Sequence, residues 1–302
     1  CATLAEWHRM KAAQDNANRR CEVGFLLQSS SSMQFLRRKL CEGVIGKVQQ
    51  VWTGVRWSRN DNYYARSSWA GHWQIDDTPV FDGPATNALA HAVQAALGLA
   101  ASTPSTMPIV RQARGAIWRA RPIESYDTAF LDIETTDDVA IRLVFTHATS
   151  FSDEVVMRVK GEQGTAAITW NGQVTLHPEG KEEQQFKFLQ QPALSAFASF
   201  LQSIAHTEHV TQTPLEHTLP FMQAISSMSQ SSSGIHNFPS QKVSRREECY
   251  QVSDLDEEIQ DFQNDFDKIP KSLLLPQAKW IEPENLSPDL PPLNQTNNHG
   301  HE

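Results

Sequence analysis

The 302-residue sequence has few of the residues and motifs that define secreted, metal-binding and membrane proteins. Its four cysteines are too scattered for a disulfide framework, and none forms a C-x-x-C pair that would indicate zinc. No apolar run approaches the roughly 18 residues of a membrane-spanning helix, and no basic and apolar leader begins the chain. These absences predict a protein without a metal site or membrane contact, with the cytoplasm as the default location.

Nucleotide-binding and hydrolase motifs are also absent. The sequence contains no G-x-G-x-x-G, G-x-x-x-x-G-K-[ST], H-E-x-x-H or G-x-S-x-G pattern. Because a dinucleotide needs a glycine-rich turn for its pyrophosphate, no cofactor is expected to bind this chain tightly by itself.

Negative charge is concentrated near the end of the chain. The formal net charge is −9, and the residues after position 246 hold 13 acids against three lysines. The first 246 residues then carry 22 acids and 23 bases and are almost neutral. A surface for nucleic acid has no electrostatic support from this distribution.

The order of helical and strand patterns predicts an α+β fold. Thr3 and Glu6 form a capping box before the first helix, and apolar spacing predicts helices at residues 33–40, 84–99, 192–205 and 214–228. Strands are predicted at residues 21–27 and 51–57, followed by six candidates between residues 110 and 177. The short turns between those six favour an antiparallel sheet.

Asn87 and His91 are the first candidates for a functional site. They are four residues apart on a predicted helix of small and apolar residues, so the pattern puts them on one face. An imidazole exchanges protons near neutral pH, and an amide orients a hydroxyl or a carbonyl. An isolated N-x-x-x-H is more often a core histidine bonded to a backbone carbonyl, and the residue types alone do not decide between the two.

Short motifs spread over most of the chain match one family of enzymes. Residues 39–48 contain the helix-to-strand turn G-V-I-G-K-V, and residues 23–25 form a strand end that reads V-G-F. Residues 64–71 read Y-A-R-S-S-W-A-G, and His91 occupies the histidine of a D-x-x-x-H motif in which Asn87 replaces the aspartate. Together these segments resemble the Gfo/Idh/MocA family of oxidoreductases.

The resemblance implies a particular domain organisation. Family members have an N-terminal Rossmann domain and a C-terminal α+β domain, whose large, mostly antiparallel sheet has helices packed on one face. Residues 1–28 are then the junction helix and strand that follow a missing Rossmann half. Residues 29–282 form the substrate-binding and oligomerisation domain, and residues 283–302 form a disordered acidic tail rich in proline and asparagine.

The resemblance also implies a function. The chain is expected to be the substrate-binding and oligomerisation part of an NAD(P)-dependent oxidoreductase for a sugar, polyol or related hydroxy compound, inactive by itself. NAD or NADP serves the complete enzyme, and a homo-oligomer forms through the open face of the sheet. Two adjacent pairs indicate apolar residues on both faces of its strands: Phe130 with Leu131 and Val144 with Phe145. His91 is the implied catalytic proton donor or acceptor, and the implied substrate-binding residues are Asn87, Arg66, Tyr64, Trp69 and His147.

Two alternatives remain open at this point. The chain could be a non-catalytic, truncated family member that acts as a ligand-binding or partner subunit, as its long acidic end suggests. It could also be related to the NAD-dependent glycosidases of the family. An amide cannot take up a proton as a carboxylate can, so Asn87 argues against a carboxylate-assisted relay but still allows hydrogen bonding.

Overall fold

The computed structural model describes residues 1–206, 208–232 and 234–293. Within them, Thr3 and Glu6 make the expected capping box before the first helix. The helices are α1 (Leu4–Ala17), α2 (Ser31–Cys41), α3 (Asp61–Ala65), α4 (Ala90–Leu99), α5 (Pro192–Ala205), α6 (Leu219–Gln230) and α7 (Leu255–Asn264).

The strands belong to one large sheet and two small hairpins. The strands are β1 (Val48–Arg56), β2 (Gln74–Ile75), β3 (Thr78–Pro79), β4 (Val110–Arg119), β5 (Thr128–Thr135), β6 (Ala140–Thr146), β7 (Val156–Gly161), β8 (Gly164–Thr169), β9 (Gln173–Pro178), β10 (Gln184–Lys187), β11 (Ile235–Asn237), β12 (Val243–Arg246) and β13 (Cys249–Val252). The large sheet has the order β10-β9-β8-β7-β1-β6-β5-β4-β11, while β2 pairs with β3 and β12 pairs with β13.

The large sheet is mostly antiparallel, as the short turns predict. Only β1 with β6 and β11 with β4 run parallel among its described pairs. The registers put the ends of β1, β6, β4 and β8 and the start of β5 at one edge of the sheet. The candidate site lies along this edge.

The two faces of the sheet have separate cores. Val51, Val55 and Phe145 point to the main core, which helices α1, α2, α4 and α6 cover. The alternating residues Trp52 and Val144 point to the opposite face, where α7 and its neighbouring loops cover them. The predicted α+β fold is confirmed, and α7 adds a helix on the second face.

This second core changes how the apolar character of Phe130 and Val144 is interpreted. Both residues are buried inside the chain, in contact with the core that includes Ile259 and Phe262 of α7. Their apolar character is therefore explained without a partner subunit. Oligomerisation through this face stays a prediction that these two residues no longer support.

Three predicted elements differ from the structure. Residues 21–27 form no strand, because their only pairing is an isolated bridge between Glu22 and Pro214, followed by a 3₁₀ turn at Leu26–Ser29. The helix expected from residue 214 begins with a 3₁₀ turn, and its α-helical part starts at Leu219. The helix expected at residues 84–99 is divided into a π-helical turn, Pro84–Ala88, and α4.

The chain from residue 283 to residue 293 lies against the body of the protein, contrary to the expectation of disorder. The backbone N–H of Ala5 donates to the carbonyl of Pro288 at 2.8 Å, and Trp73 Nε1 donates to the carbonyl of Pro291 at 3.2 Å. Residues 294–302, which make up the rest of the predicted tail, lie outside the described residues.

Neither a membrane span nor a metal cluster is found in the described part of the chain. None of its helices has the length and apolar character needed to cross a membrane. In the same part, no three or more His, Cys, Asp or Glu side chains come together as a metal site.

Candidate functional site

In the turn that precedes α4, the side chain of Asn87 is held by the buried carboxylate of Asp82. Asn87 Nδ2 donates to Asp82 Oδ1 at 2.8 Å, and the backbone N–H of Gly71 donates to Asp82 Oδ2 at 2.7 Å. Asp82 is only 4% exposed. Because a break in the helical path separates this turn from α4, Asn87 and His91 do not lie on one continuous α-helical face.

Gly83 allows this turn to lie directly on a buried tyrosine. A Cβ atom at Gly83 would be 2.2 Å from Tyr126 Cζ, so no larger residue fits without a shift of the ring. The Tyr126 hydroxyl is 2.9 Å from Thr86 Oγ1, and burial raises the pKa of Tyr126. This turn therefore requires glycine at position 83, because a side chain there would overlap the Tyr126 ring.

His91 lies in α4 among aromatic rings. Its ring centroid is 5.6 Å from that of Phe25 and 6.5 Å from that of Trp170, and both contacts are edge to face. Burial lowers the pKa of His91. The imidazole is therefore neutral at physiological pH and is able to accept a proton from a hydroxyl.

Arg66 lies in the loop that follows α3, between two aromatic rings. Its Cζ atom is 3.6 Å from the Tyr63 centroid and 4.8 Å from the Trp69 centroid. Trp69 is 40% exposed although it is a large apolar side chain. The two rings and the hydrogen bond that Nη1 donates to the Tyr63 carbonyl at 2.5 Å orient the planar guanidinium, and its other N–H groups stay available to an anion.

His147 follows β6 and contacts two tyrosines of α3, Tyr63 and Tyr64. The Tyr64 hydroxyl lies 3.5 Å from His147 Nδ1, and the Tyr63 ring contacts the imidazole edge to face at 5.7 Å. His147 is 4% exposed, and its Nε2 atom has no hydrogen-bond partner within the described residues. A buried nitrogen without a partner is costly, and a ligand hydroxyl would satisfy it.

The charges around His147 are positive. Burial, together with three neighbouring arginines, lowers the pKa of His147 to about 3, so the ring is neutral at physiological pH. Burial also raises the pKa of Tyr64 well above its usual value and that of Asp127 to about 6. The arginines are Arg59, Arg66 and Arg121.

Asp127 has a structural role at the start of β5. Its carboxylate accepts from the backbone N–H groups of Ala120 and Arg121 and from the Thr128 hydroxyl, at 2.8–3.1 Å. These bonds close the β4–β5 connection.

Arg59 connects the two halves of the candidate site. Its Cζ atom lies 4.8 Å from the Trp57 centroid and 4.7 Å from the Tyr63 centroid. Trp57 in turn contacts Trp170 edge to face at 5.5 Å, and Trp170 contacts His91. A continuous series of ring and guanidinium contacts therefore runs from His91 to His147 along the sheet edge.

The structure thus brings five of the six predicted site residues to this sheet edge. Arg66, Tyr64, Trp69 and His147 form one cluster, His91 lies at the far end of the contact series, and Asn87 bonds instead to Asp82. Three residues that join the two ends were not predicted, although arginine and tryptophan directly after a strand were a usable signal: Trp57, Arg59 and Trp170.

The described residues do not fit a dinucleotide. A pyrophosphate is bound at a glycine-rich turn between a parallel strand and a helix. The glycine turn of Gly43 and Gly46 connects α2 to β1 in the opposite order, from helix to strand. The described residues therefore contain no turn of this kind for a pyrophosphate.

Solved structures share this fold, although no protein-family model and no curated protein matches the chain. The WlbA dehydrogenase from Bordetella pertussis, solved with NADH and UDP-GlcNAcA, is 19% identical with a TM-score of 0.59, and the match covers 76% of this chain and 65% of that one. This chain thus spans about 65% of the length of that dehydrogenase.

Two further structures show the same relationship. An oxidoreductase from Agrobacterium radiobacter, solved with NAD+, L-tartaric acid and magnesium, is 14% identical with a TM-score of 0.60, covering 77% of this chain and 69% of its own. KijD10, a 3-ketoreductase from Actinomadura kijaniata solved with TDP-benzene and NADP, is 13% identical with a TM-score of 0.59, covering 79% and 69%.

These comparisons establish the fold. The structure neighbours are oxidoreductases of the Gfo/Idh/MocA type, which is the family that the sequence resembles. The large, mostly antiparallel sheet with its helices is the architecture they share with this chain.

Proposed function

We propose that this chain is the substrate-binding part of an NAD(P)-dependent oxidoreductase for a sugar, polyol or related hydroxy compound that carries an anionic group. One observation carries the proposal: a neutral histidine, His91, and a stacked arginine, Arg66, lie along the same sheet edge. The first suits proton exchange with a hydroxyl, and the second suits a carboxylate or a phosphate.

In this proposal His91 is the catalytic proton donor or acceptor. Oxidation of a carbinol requires a base for the hydroxyl proton, and reduction of a carbonyl requires an acid at the same oxygen. A half-buried imidazole with a lowered pKa is neutral and performs the first role directly. No carboxylate contacts the ring in the contacts described for it, so His91 acts without a charge relay.

The remaining residues orient the substrate. Trp69 and Tyr63 supply aromatic surface for the apolar face of a sugar ring, and Arg66 binds its anionic group. Tyr64 and His147 supply a hydroxyl and a free ring nitrogen for hydroxyl groups. Asn87, held by Asp82, positions the turn that leads to His91.

The ligands of the structure neighbours support an anionic substrate. UDP-GlcNAcA and L-tartaric acid each combine hydroxyl groups with negative charge. Such a ligand matches the positive charge that Arg59, Arg66 and Arg121 place around His147. Of these three, Arg121 is paired with Asp61 and also lies near the carboxylate of Asp127. The proposal also includes a cytoplasmic location. It further includes turnover of the substrate only in the presence of a separate dinucleotide-binding unit.

A non-catalytic ligand-binding subunit is the second candidate. The observation that favours it is the missing fit to a pyrophosphate within the described residues. Both candidates require substrate binding at the sheet edge. They differ in whether any preparation of the native protein oxidises the bound compound with NAD+ or NADP+.

Calorimetric titration of the full chain tests the proposal. We expect saturable binding of UDP-GlcNAcA or L-tartrate, weakened at least tenfold by Trp69→Ala, since stacked aromatic surface and the orientation of Arg66 are both lost. Phe151→Ala is the matched control, because Phe151 is also an exposed aromatic but stacks on Arg56. Absence of binding, or equal weakening in both variants, contradicts the proposal.

A further inference from the structure

Arg121 joins three segments of the chain beside the candidate site. It lies in the β4–β5 connection and is only 7% exposed. Its Nη1 atom donates to the carboxylate of Asp61, the first residue of α3. Its Nη2 atom donates to the backbone carbonyl of Arg59 at 3.1 Å and to that of Glu248, in the turn of the β12–β13 hairpin, at 2.9 Å. One buried guanidinium therefore links the β4–β5 connection to α3 and to the hairpin.

Two tyrosine rings contact the same guanidinium. The Arg121 Cζ atom is 4.6 Å from the ring centroid of Tyr64, in α3, and 4.6 Å from that of Tyr250, in β13. The Tyr64 hydroxyl in turn lies 3.5 Å from His147 Nδ1. A planar guanidinium stacks on aromatic rings, so the position of the Tyr64 ring depends on Arg121, and that of Arg121 on Tyr250. The hairpin is thus linked to His147 through three successive contacts.

Both strands of the hairpin also contact the segment that begins α3. Arg245, in β12, pairs with the second carboxylate oxygen of Asp61, whose first oxygen accepts from Arg121. The Ser58 hydroxyl lies 3.3 Å from the sulfur of Cys249, in β13. Asp61 is ionised at physiological pH, because its hydrogen bonds with Arg121 and Arg245 lower its pKa. The hairpin therefore holds α3 by an ion pair as well as through Arg121.

The turn of this hairpin has a strained backbone. Its two central residues, Glu247 and Glu248, have φ angles of 47° and 64°, in the left-handed region that glycine or asparagine normally occupies in such a turn. Arg246 and Cys249 pair on either side of them. A side chain in this region costs free energy, so two successive glutamates persist here only because their surroundings hold them. The hydrogen bond from Arg121 to the Glu248 carbonyl is one such restraint.

We infer that Arg121 and the β12–β13 hairpin position α3 for substrate binding, with Arg121 and Tyr250 as positioning residues. The inference rests on the proposed function, because α3 and the loop after it carry Tyr64 and Arg66, which that function assigns to the substrate. Both Nη atoms of Arg121 are already bonded within the chain, so this residue acts through its neighbours rather than on a ligand. The hairpin thereby contributes to substrate affinity although it lies far from the site residues in the sequence.

A purely stabilising hairpin is the alternative. Its contacts would then hold the fold together, and their loss would lower the stability of the protein without changing how the folded protein binds a ligand. The two accounts make different predictions for the folded state, since only the positioning role changes the contact between Tyr64 and His147.

Replacement of Tyr250 in the full chain separates the two accounts. Tyr250→Ala should weaken calorimetric binding of UDP-GlcNAcA or L-tartrate about tenfold, and it should shift the His147 ring resonance even without ligand. Tyr250→Phe should restore both, because the ring that contacts Arg121 is kept. Trp280→Ala is the matched control, since it removes a half-buried ring that lies 4.5 Å from Arg114, in β4, and it should change neither.

The results that overturn the inference are specific to the folded state. Unchanged affinity or an unchanged His147 resonance in folded Tyr250→Ala overturns it, with or without a loss of stability. A Tyr250→Phe variant that behaves like Tyr250→Ala overturns it as well. Urea unfolding of each variant shows that the folded protein is the one measured.

Arg245→Gln tests the same contacts without replacing a ring, and it decides the question if Tyr250→Ala does not fold. The Arg245 side chain is 55% exposed, so the substitution removes its ion pair with Asp61 and should leave the urea midpoint unchanged. We expect the same shift of the His147 resonance and about threefold weaker binding. Arg246→Gln, at the exposed neighbouring position of β12, should change neither. Wild-type affinity in Arg245→Gln then overturns the inference.

Failure of the proposed function gives a different result. None of these variants replaces Arg66, Trp69 or His147, so the residues assigned to the substrate stay intact. Absence of binding in wild type refutes the proposed function, and the positioning inference with it. Wild-type binding that Tyr250→Ala leaves unchanged refutes the positioning inference alone.

Discussion

The side-chain amide of Asn87 donates to the buried carboxylate of Asp82 across 2.8 Å. The related motif has an aspartate where this chain has Asn87. An aspartate here would bring two carboxylates together in a site where Asp82 already accepts from the backbone of Gly71. The amide is therefore the residue that fits this turn, and its role is to hold the turn ahead of His91.

Asn87→Asp should destabilise the protein by about 1–3 kcal/mol at neutral pH, since a donor to a buried carboxylate becomes a like charge. The loss should shrink in acid, because protonation of one carboxyl removes the repulsion and restores a donor. Urea unfolding near pH 8 and pH 5 measures both effects. Asn62→Asp, at an exposed position, is the control, and an equal effect in both variants would contradict this account.

Gly83→Ala should destabilise the protein by about 1–3 kcal/mol, because the added methyl overlaps the buried Tyr126 ring. Gly24→Ala is the matched control, since a Cβ atom at Gly24 meets nothing within 4 Å. Thermal unfolding of the two variants measures the difference. Equal unfolding temperatures would show that the Tyr126 ring moves aside without cost.

Much of the fold follows from local patterns in the sequence. The strands between residues 110 and 177 pair with their sequence neighbours as the patterns predict, except that β1 lies between β6 and β7. The strand expected at residues 21–27 does not form, because its apolar residues find no neighbouring strand beyond the bridge at Glu22. The conformation of such a segment depends on its tertiary contacts, and the local sequence pattern does not reveal those contacts.

The candidate site was predictable only in part. His91 and the loop with Arg66 are visible as motifs, but Tyr64 and His147 meet across 83 residues of chain. The interruption at Leu89, before α4, also has no signal in the apolar spacing. Prediction of contacts between distant segments requires the register of the sheet, and sequence patterns do not determine that register.

Replacement of His147 should change how stability depends on pH. Its pKa of about 3 in the folded protein is below the value of roughly 6.5 in an unfolded chain. The unfolded state alone therefore binds a proton between these values, and the folded state loses stability as the pH falls. Relative to His147→Gln, wild type should lose about 2 kcal/mol between pH 7.5 and pH 5.

Urea unfolding of both proteins at the two pH values measures this difference. Asp127, whose pKa is raised to about 6, contributes in the opposite direction, because its folded form gains stability as it is protonated. It is present in both proteins, so its contribution cancels in the comparison. Parallel pH profiles for wild type and His147→Gln would refute the prediction.

Arg66→Lys should weaken the binding of L-tartrate about tenfold and leave stability within about 0.5 kcal/mol of wild type. Lysine keeps the charge but loses the planar fork that stacks between Tyr63 and Trp69. Calorimetry with L-tartrate and with the neutral tetritol erythritol separates charge recognition from general binding. Equal affinity of the two proteins for tartrate would exclude Arg66 from the anion site.

The most direct test of the account is a histidine-resolved NMR titration of the full chain with UDP-GlcNAcA and L-tartrate. Spectra of His91→Gln and His147→Gln assign the two ring resonances. We predict that both shift with one dissociation constant, while His72, an exposed residue paired with Glu124, does not move. Ligand binding that leaves the His91 resonance unchanged would contradict the claim that this sheet edge is the substrate site.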